Sequence, residues 1–141
     1  MTTIEELMTP HPHLIHPDDS LRQAAKKMHE FDCGCLVAGV DDKPEGILTD
    51  RDIVVWGLAE DHDPDTSSVR DIMTSDLITC YSDQTLEFAA DVMADRDVRR
   101  LVILDRKEDR VVGVLSIVDM VKCSDSEEVN DDIMHHLFKY A

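Results

Sequence analysis

The chain repeats itself. Leu21, Ala24, Ala25 and Met28 return as Leu86, Ala89, Ala90 and Met93, at a constant offset of 65 positions. Leu36 and Val37 return as Leu101 and Val102 at the same offset, and Leu7-Met8-Thr9 returns as Ile72-Met73-Thr74. Gly46-Ile47-Leu48-Thr49-Asp50-Arg51-Asp52-Ile53 returns as Gly113-Val114-Leu115-Ser116-Ile117-Val118-Asp119-Met120, with two extra residues in the turn before it. A repeat of about sixty residues is longer than the units of common solenoids, so the pattern implies a pair of half-domains rather than an array.

Each copy reads strand, helix, strand, strand, helix. In the first, Leu14 to His16 is a short strand, and Ser20 with Gln23 forms a capping box. Leu21, Ala24, Ala25 and Met28 then follow helical spacing, so one face of that helix is apolar. Cys35 to Val40 is a continuous apolar run, Asp41 to Pro44 a turn, and Gly46 to Thr49 the returning strand. The next helix carries Ile53, Val54 and Trp56 and ends near Gly57-Leu58. In the second copy the strands are Leu77 to Tyr81, Arg100 to Asp105 and Val111 to Ser116, with helices from Leu86 to Asp95 and from Val118. Short helices open both copies, at Ile4 to Met8 and after Ser68. Thr9-Pro10-His11-Pro12 must be extended, because two prolines forbid helix. The expected division is 1–60 and 69–123 for the two copies, 61–68 for the linker and 124–141 for a helical tail. In that tail Ser126 is a cap, and Val129, Ile133, Leu137 and Tyr140 form a stripe suited to packing on the domain or on a second subunit. His135 and His136 are adjacent there, so they point apart and do not chelate one metal together.

Apolar residues make up 43% of the 141, but aromatics only 4%, so the core has to be aliphatic. A net charge of -17 opposes binding to nucleic acid or anionic membrane, which carry the same sign. It suits solubility first, and a high-salt environment second. No apolar run is long enough to span a bilayer. Met1 to Glu6 has no basic or apolar stretch, so it is not a signal peptide, and the expected location is the cytoplasm. Cys33-Gly34-Cys35 has no second Cys or His pair to complete a metal site, and reads as small buried residues at a strand start. No structural disulfide is expected in a reducing compartment. His11, His13, His16 and His62 fall in loops with no nucleophile at fixed spacing, and no phosphate-loop or dinucleotide glycine fingerprint occurs. No metal, no required cofactor and no enzyme activity are expected.

The chemistry concentrates at the two strand-to-helix junctions. A hydroxyl residue there, Thr49 or Ser116, sits where free backbone N–H groups and the positive end of the helix dipole gather, which suits a phosphate. The carboxylate one turn on, Asp52 or Asp119, can accept both hydroxyls of a ribose. The same spacing also makes a capping box, in which the acid bonds back to the cap and no ligand is needed. Arg99 and Arg100 precede a strand in the second copy and call for an anion or for nearby carboxylates. Cys33-Gly34-Cys35 stands at that place in the first copy, so the two copies cannot bind one ligand alike. Arg51 is the first copy's partial compensation.

These residues identify a family resemblance. The duplicated unit resembles the CBS domain, named for cystathionine β-synthase, and the pair resembles a Bateman module. It does so through the two Gly-x-x-Thr/Ser-x-x-Asp motifs, the Leu-x-x-Ala-Ala-x-x-Met helices and Asp71-Ile72-Met73-Thr74, over Ile4 to about Lys122. The resemblance implies an α/β (α+β) fold of two β-α-β-β-α units, each a small sheet on two helices, related by a pseudo-twofold. It implies clefts between the repeats that bind AMP, ADP or ATP, or another adenosyl ligand such as S-adenosylmethionine or NAD. Asp52 and Asp119 would hold ribose, and Thr49, Arg51, Arg99, Arg100 and Ser116 would meet phosphate. Leu14, Ile15, Ile78 and Thr79 would line the adenine slot with backbone groups. Such modules regulate a partner, here a separate and unknown protein. A ligand-free interaction module acting through its dimer surface is the alternative. A homodimer is expected through the helices around Asp52 to Leu58 and Asp119 to Lys122.

Overall fold

The computed structural model of the chain describes residues 2–123. In chain order its elements begin with α1 (Ile4–Leu7), β1 (Thr9–Pro10), β2 (Leu14–Ile15), α2 (Leu21–Phe31), β3 (Cys35–Val40) and β4 (Lys43–Thr49). They continue with α3 (Asp50–Asp52), α4 (Val69–Ile72), β5 (Thr79–Tyr81), α5 (Leu86–Arg96), β6 (Arg100–Leu104), β7 (Val111–Ser116) and α6 (Ile117–Cys123). The chain divides into two compact units. His13–Leu77 form one, here the central unit; the residues up to Pro12 join those from Ile78 onward in the other, the split unit. Each unit therefore takes its entry helix from the other sequence copy: α1 belongs to the split unit and α4 to the central one.

In the central unit the sheet order is β2-β3-β4, with β2 parallel and β4 antiparallel to β3. Central β3 is buried from Leu36 to Gly39, which is why it reads as an unbroken apolar run. Helix α2 starts at Ser20, whose Oγ accepts the Gln23 N–H while the Gln23 side chain accepts the Ser20 N–H. Its Leu21, Ala24 and Met28 are buried against Leu36, Leu48, Val69 and Ile72. Ala25, expected on the same face, is exposed, whereas its counterpart Ala90 is buried. The turn between β3 and β4 is shorter than Asp41 to Pro44. Asp41 and Asp42 alone carry it, with φ of 53° and 61°, the left-handed pair that suits a two-residue hairpin. Pro44 lies in β4, beside a register shift at Ala38/Gly39. After α3 the helix widens into a π-helical turn at Ile53–Gly57 and tightens over Leu58–Glu60, running past its expected end at Gly57-Leu58.

The split unit repeats this plan around β7-β6-β5 and adds an edge strand. β1, legible in the sequence only as an extended stretch, pairs antiparallel with β7, Thr9 opposite Val114 and Pro10 opposite Gly113. Proline is tolerated at such an edge because the ladder asks nothing of its missing N–H. The core gathers Ile4, Leu86, Met93, Leu101, Leu115 and Met120, all aliphatic as composition required. α2 and α5 both stop at an aspartate in the left-handed conformation, Asp32 and Asp97. The β6–β7 turn is pinned by Arg106, which donates to both oxygens of Asp83 at 2.8 and 2.9 Å and lies over the Tyr81 ring. That guanidinium holds the Asp83 carboxyl below the usual carboxylate range. Cys33 and Cys80 are free thiols, and burial pushes Cys80 up to about 11. Cys33 and Cys35 are half-buried rather than buried. No helix among the described residues is long and apolar enough to cross a membrane. The tail residues Ser126, Val129, Ile133, Leu137 and Tyr140 and the pair His135 and His136 lie outside the described residues.

The glycine that opens each motif has a steric reason. A Cβ on Gly46 would stand 2.6 Å from the Met73 Sδ and 2.9 Å from the Thr74 carbonyl oxygen. On Gly113 it would stand 3.1 Å from the Thr9 carbonyl oxygen and closer still to the Met8 Sδ. The Met-Thr pair ending each entry helix thus lies directly on the glycine of the strand beneath it. Gly46→Ala should cost about 1–3 kcal/mol, because a backbone carbonyl has to move as well as a flexible side chain. Denaturant unfolding of the variant against the parent chain measures this.

Candidate functional site

Both junction motifs close as capping boxes. In the central unit the Thr49 N–H donates to Asp52 Oδ2 at 2.9 Å, and the Asp52 N–H donates to Thr49 Oγ1 at 3.1 Å. In the split unit the Ser116 N–H donates to Asp119 Oδ2 at 3.0 Å, and the Asp119 N–H donates to Ser116 Oγ at 3.1 Å. The box fixes the carboxylate one turn into the helix and leaves it half-buried at the surface. The box bond uses Oδ2 in both units, so Oδ1 retains its capacity to accept. Capping and ligand binding are therefore compatible functions of one side chain.

The sheets bring the remaining sequence-selected residues to the same end as these boxes. In the split unit Arg100 is directly opposite Ser116 in the β6–β7 register, and the Ile117 N–H donates to the Arg99 carbonyl at 3.0 Å. β5 runs alongside, with Thr79 opposite Val102 and the Ile78 carbonyl accepting the Val102 N–H at 3.2 Å. Arg99, Arg100 and Thr79 are exposed; Ile78 is half-buried and packs on the core. In the central unit Thr49 is opposite Cys35, the Asp50 N–H donates to the Gly34 carbonyl at 3.0 Å, and Leu14 is opposite Val37. Arg51 is exposed beside them, while Ile15 is buried and lines a cavity of 420 Å³ with Lys26, Lys27 and Phe31.

Three residues that matter here escape a reading based on the motif alone. Asp50 Oδ1 accepts the Arg51 N–H at 2.8 Å, so a second carboxylate stands at the central junction. Lys27 Nζ donates to the Leu14 carbonyl, taking one of the backbone acceptors expected in the adenine slot. His13 stacks on Phe31 beside it, ring centroids 4.0 Å apart. Aligning the copies held the signal: Lys27 stands where the second copy has Val92, and Asp50 where it has Ile117.

The duplicated junctions, the paired sheets and the matching caps agree with an independent comparison. The family model for the CBS domain matches twice, over residues 4–58 and 69–126. The chain belongs to the CBS-domain family. Hypoxic response protein 1 of Mycobacterium tuberculosis is 32% identical over 123 residues, covering 86% of this chain and 85% of that protein. A crystal structure of Hypoxic Response Protein I with two coordinated zinc ions matches with a TM-score of 0.74, over 86% of this chain and 98% of that one. Among the described residues no group of three or more His, Cys, Asp or Glu could hold a metal ion. Two further structures share the fold. The CBS domain pair of protein MJ0100, in complex with 5′-methylthioadenosine and S-adenosyl-L-methionine, is 24% identical, with a TM-score of 0.75 over 86% of this chain and 98% of that one. CBSX2 in complex with AMP is 22% identical, with a TM-score of 0.71 over 86% of this chain and 95% of that one.

Because Asp119 caps its own helix, its removal carries a folding cost separate from any ligand. Asp119→Ala should destabilise the chain by about 0.5–2 kcal/mol, and Asp119→Asn by less, since the amide oxygen still accepts. Thermal or denaturant unfolding in ligand-free buffer checks both.

Proposed function

We propose that the chain is a regulatory module that binds an adenosine nucleotide, AMP, ADP or ATP, and acts on a separate partner protein. One observation carries the reading: Arg100 stands opposite Ser116, with Asp119 one turn into the following helix. A cation, a hydroxyl and a carboxylate at the same end of one sheet match a phosphate and a ribose of the same molecule. The basic pair matters more in this chain than it would elsewhere, because a phosphorylated ligand approaches a protein of net charge -17. Fold neighbours solved with AMP and with adenosyl thioether and sulfonium ligands support the ligand class. In this reading Asp119 and Asp52 hold ribose, Ser116, Arg99 and Arg100 meet phosphate in the split unit, and the β5 and β2 backbones face adenine.

A hydrogen bond to a charged group is worth roughly 1.5–3 kcal/mol, so losing one weakens binding about ten- to a hundred-fold. Arg100→Ala should reduce AMP affinity by that factor and leave adenosine affinity nearly unchanged. Asp119→Asn should weaken both. Calorimetry of each variant with each ligand is the test, and equal losses for adenosine and AMP in Arg100→Ala would remove the phosphate role.

A second reading, an interaction module acting through a dimer surface, draws on exposed apolar side chains of the helices that follow the boxes. Val54, Leu58 and Val118 are each more than half exposed, at 56%, 55% and 58%. Large apolar side chains exposed on a helix are what a second protein surface covers. We propose a homodimer through these helices. Light scattering at micromolar concentration in moderate salt should give twice the chain mass, and Val54→Asp with Val118→Asp should return it to monomer.

A further inference from the structure

The two junctions are built alike but are chemically opposed. At the central junction the first three helix amides are all satisfied from within. The Asp50 N–H donates to the Gly34 carbonyl at 3.0 Å, the Arg51 N–H to Asp50 Oδ1 at 2.8 Å, and the Asp52 N–H to Thr49 Oγ1 at 3.1 Å. The middle one of these is held by a carboxylate. In the split unit the outer two bonds recur, Ile117 N–H to the Arg99 carbonyl and Asp119 N–H to Ser116 Oγ. The residue in the place of Asp50 is Ile117, which has no oxygen to offer the amide that follows it.

The strand facing the junction changes with it. A Cβ on Gly34 would stand 2.9 Å from Asp50 Oδ2. The Asp50 carboxylate therefore lies against the start of β3, at the point where the split unit carries Arg99 and then Arg100. The central junction sets a carboxylate against the backbone position at which the split unit carries arginine. Arg51 is flanked in sequence by two carboxylates, Asp50 and Asp52.

We infer that the central unit takes an adenosyl ligand without a phosphate, neutral or cationic, and that Asp50 is the residue that refuses the phosphate. This rests on the adenosine reading above. A phosphate at the central junction would meet a fixed carboxylate at close range and would find the middle amide already engaged. Like-charge juxtaposition of this kind discriminates between ligands by repulsion rather than by added attraction. The ribose carboxylate Asp52 is untouched by the change, so a nucleoside loses nothing. A sulfonium or amine on the ligand's 5′ substituent would gain from Asp50.

Calorimetry on the full chain with adenosine and with AMP tests this through stoichiometry. The expected result is two adenosine sites per chain and one AMP site. Asp50→Ala should add a second AMP site, tightening AMP at the central unit about ten- to a hundred-fold, which is one charged hydrogen bond's worth of discrimination. Asp50→Asn keeps the acceptor for the Arg51 amide and removes only the charge. It should give a smaller gain in the same direction, and it is the readout if the alanine variant fails to fold. Two AMP sites in the unaltered chain would overturn the inference. So would a single adenosine site, or a single AMP site retained in both Asp50 variants while two adenosine sites persist. Failure of both ligands to bind at all would instead overturn the adenosine reading on which the inference stands.

Discussion

Two hydrogen bonds running in opposite directions across four residues hold each junction between strand and helix. They set the angle at which the chain leaves the sheet, and so they set where everything after the strand can lie. The hydroxyl satisfies an amide that the helix cannot, and the carboxylate satisfies the strand's last N–H in return. The glycine three residues before the hydroxyl, in mid-strand, lets the Met-Thr pair of the entry segment lie close, so the motif itself supplies both contacts that fix the strand. A strand fixed in this way presents its opposite neighbour in β3 or β6 at a constant place, which is why Arg100 and Cys35 occupy equivalent positions despite opposite chemistry.

Most of this architecture was legible because its periodicities are strong. The spacing from Leu21 to Met28 and from Leu86 to Met93 marked the two buried helix faces. The apolar run from Cys35 to Val40 marked the central strand. Ala25 falls at the edge of its helix face, where nothing covers it, and spacing alone does not mark that edge. The two-residue turn is not legible either, because Asp41 and Asp42 in left-handed conformations leave no compositional mark that separates them from the Lys-Pro that follows. The membership of α1 and α4 could not be read at all. A short helix packs on whichever apolar surface is nearest in space, and sequence order carries no record of that.

The candidate site was legible as a set of residues but not as a set of bonds. Thr49 with Asp52, and Ser116 with Asp119, were equally consistent with capping and with ligand binding. The geometry gives capping in both, without consuming the second carboxylate oxygen. Lys27 and Asp50 were hidden for a different reason: neither belongs to a recognisable motif, and each acquires meaning only beside its counterpart in the other copy. Two imperfect repeats are in that sense a controlled comparison within one chain, in which every departure from identity is a candidate for divergent chemistry.

The position of α1 has an implication for ancestry. The segment that was copied and the segment that folds have different bounds. A gene encoding only the first copy would carry an entry helix with no Gly113 beneath it and a strand with no Met73 above it. Two such chains could supply each other with the missing piece, the first molecule's entry helix covering the second's glycine and the reverse. In one chain carrying both copies, each glycine has its cover from the other copy's entry segment, so the copies differ at Asp50 and Ile117 with both covers in place.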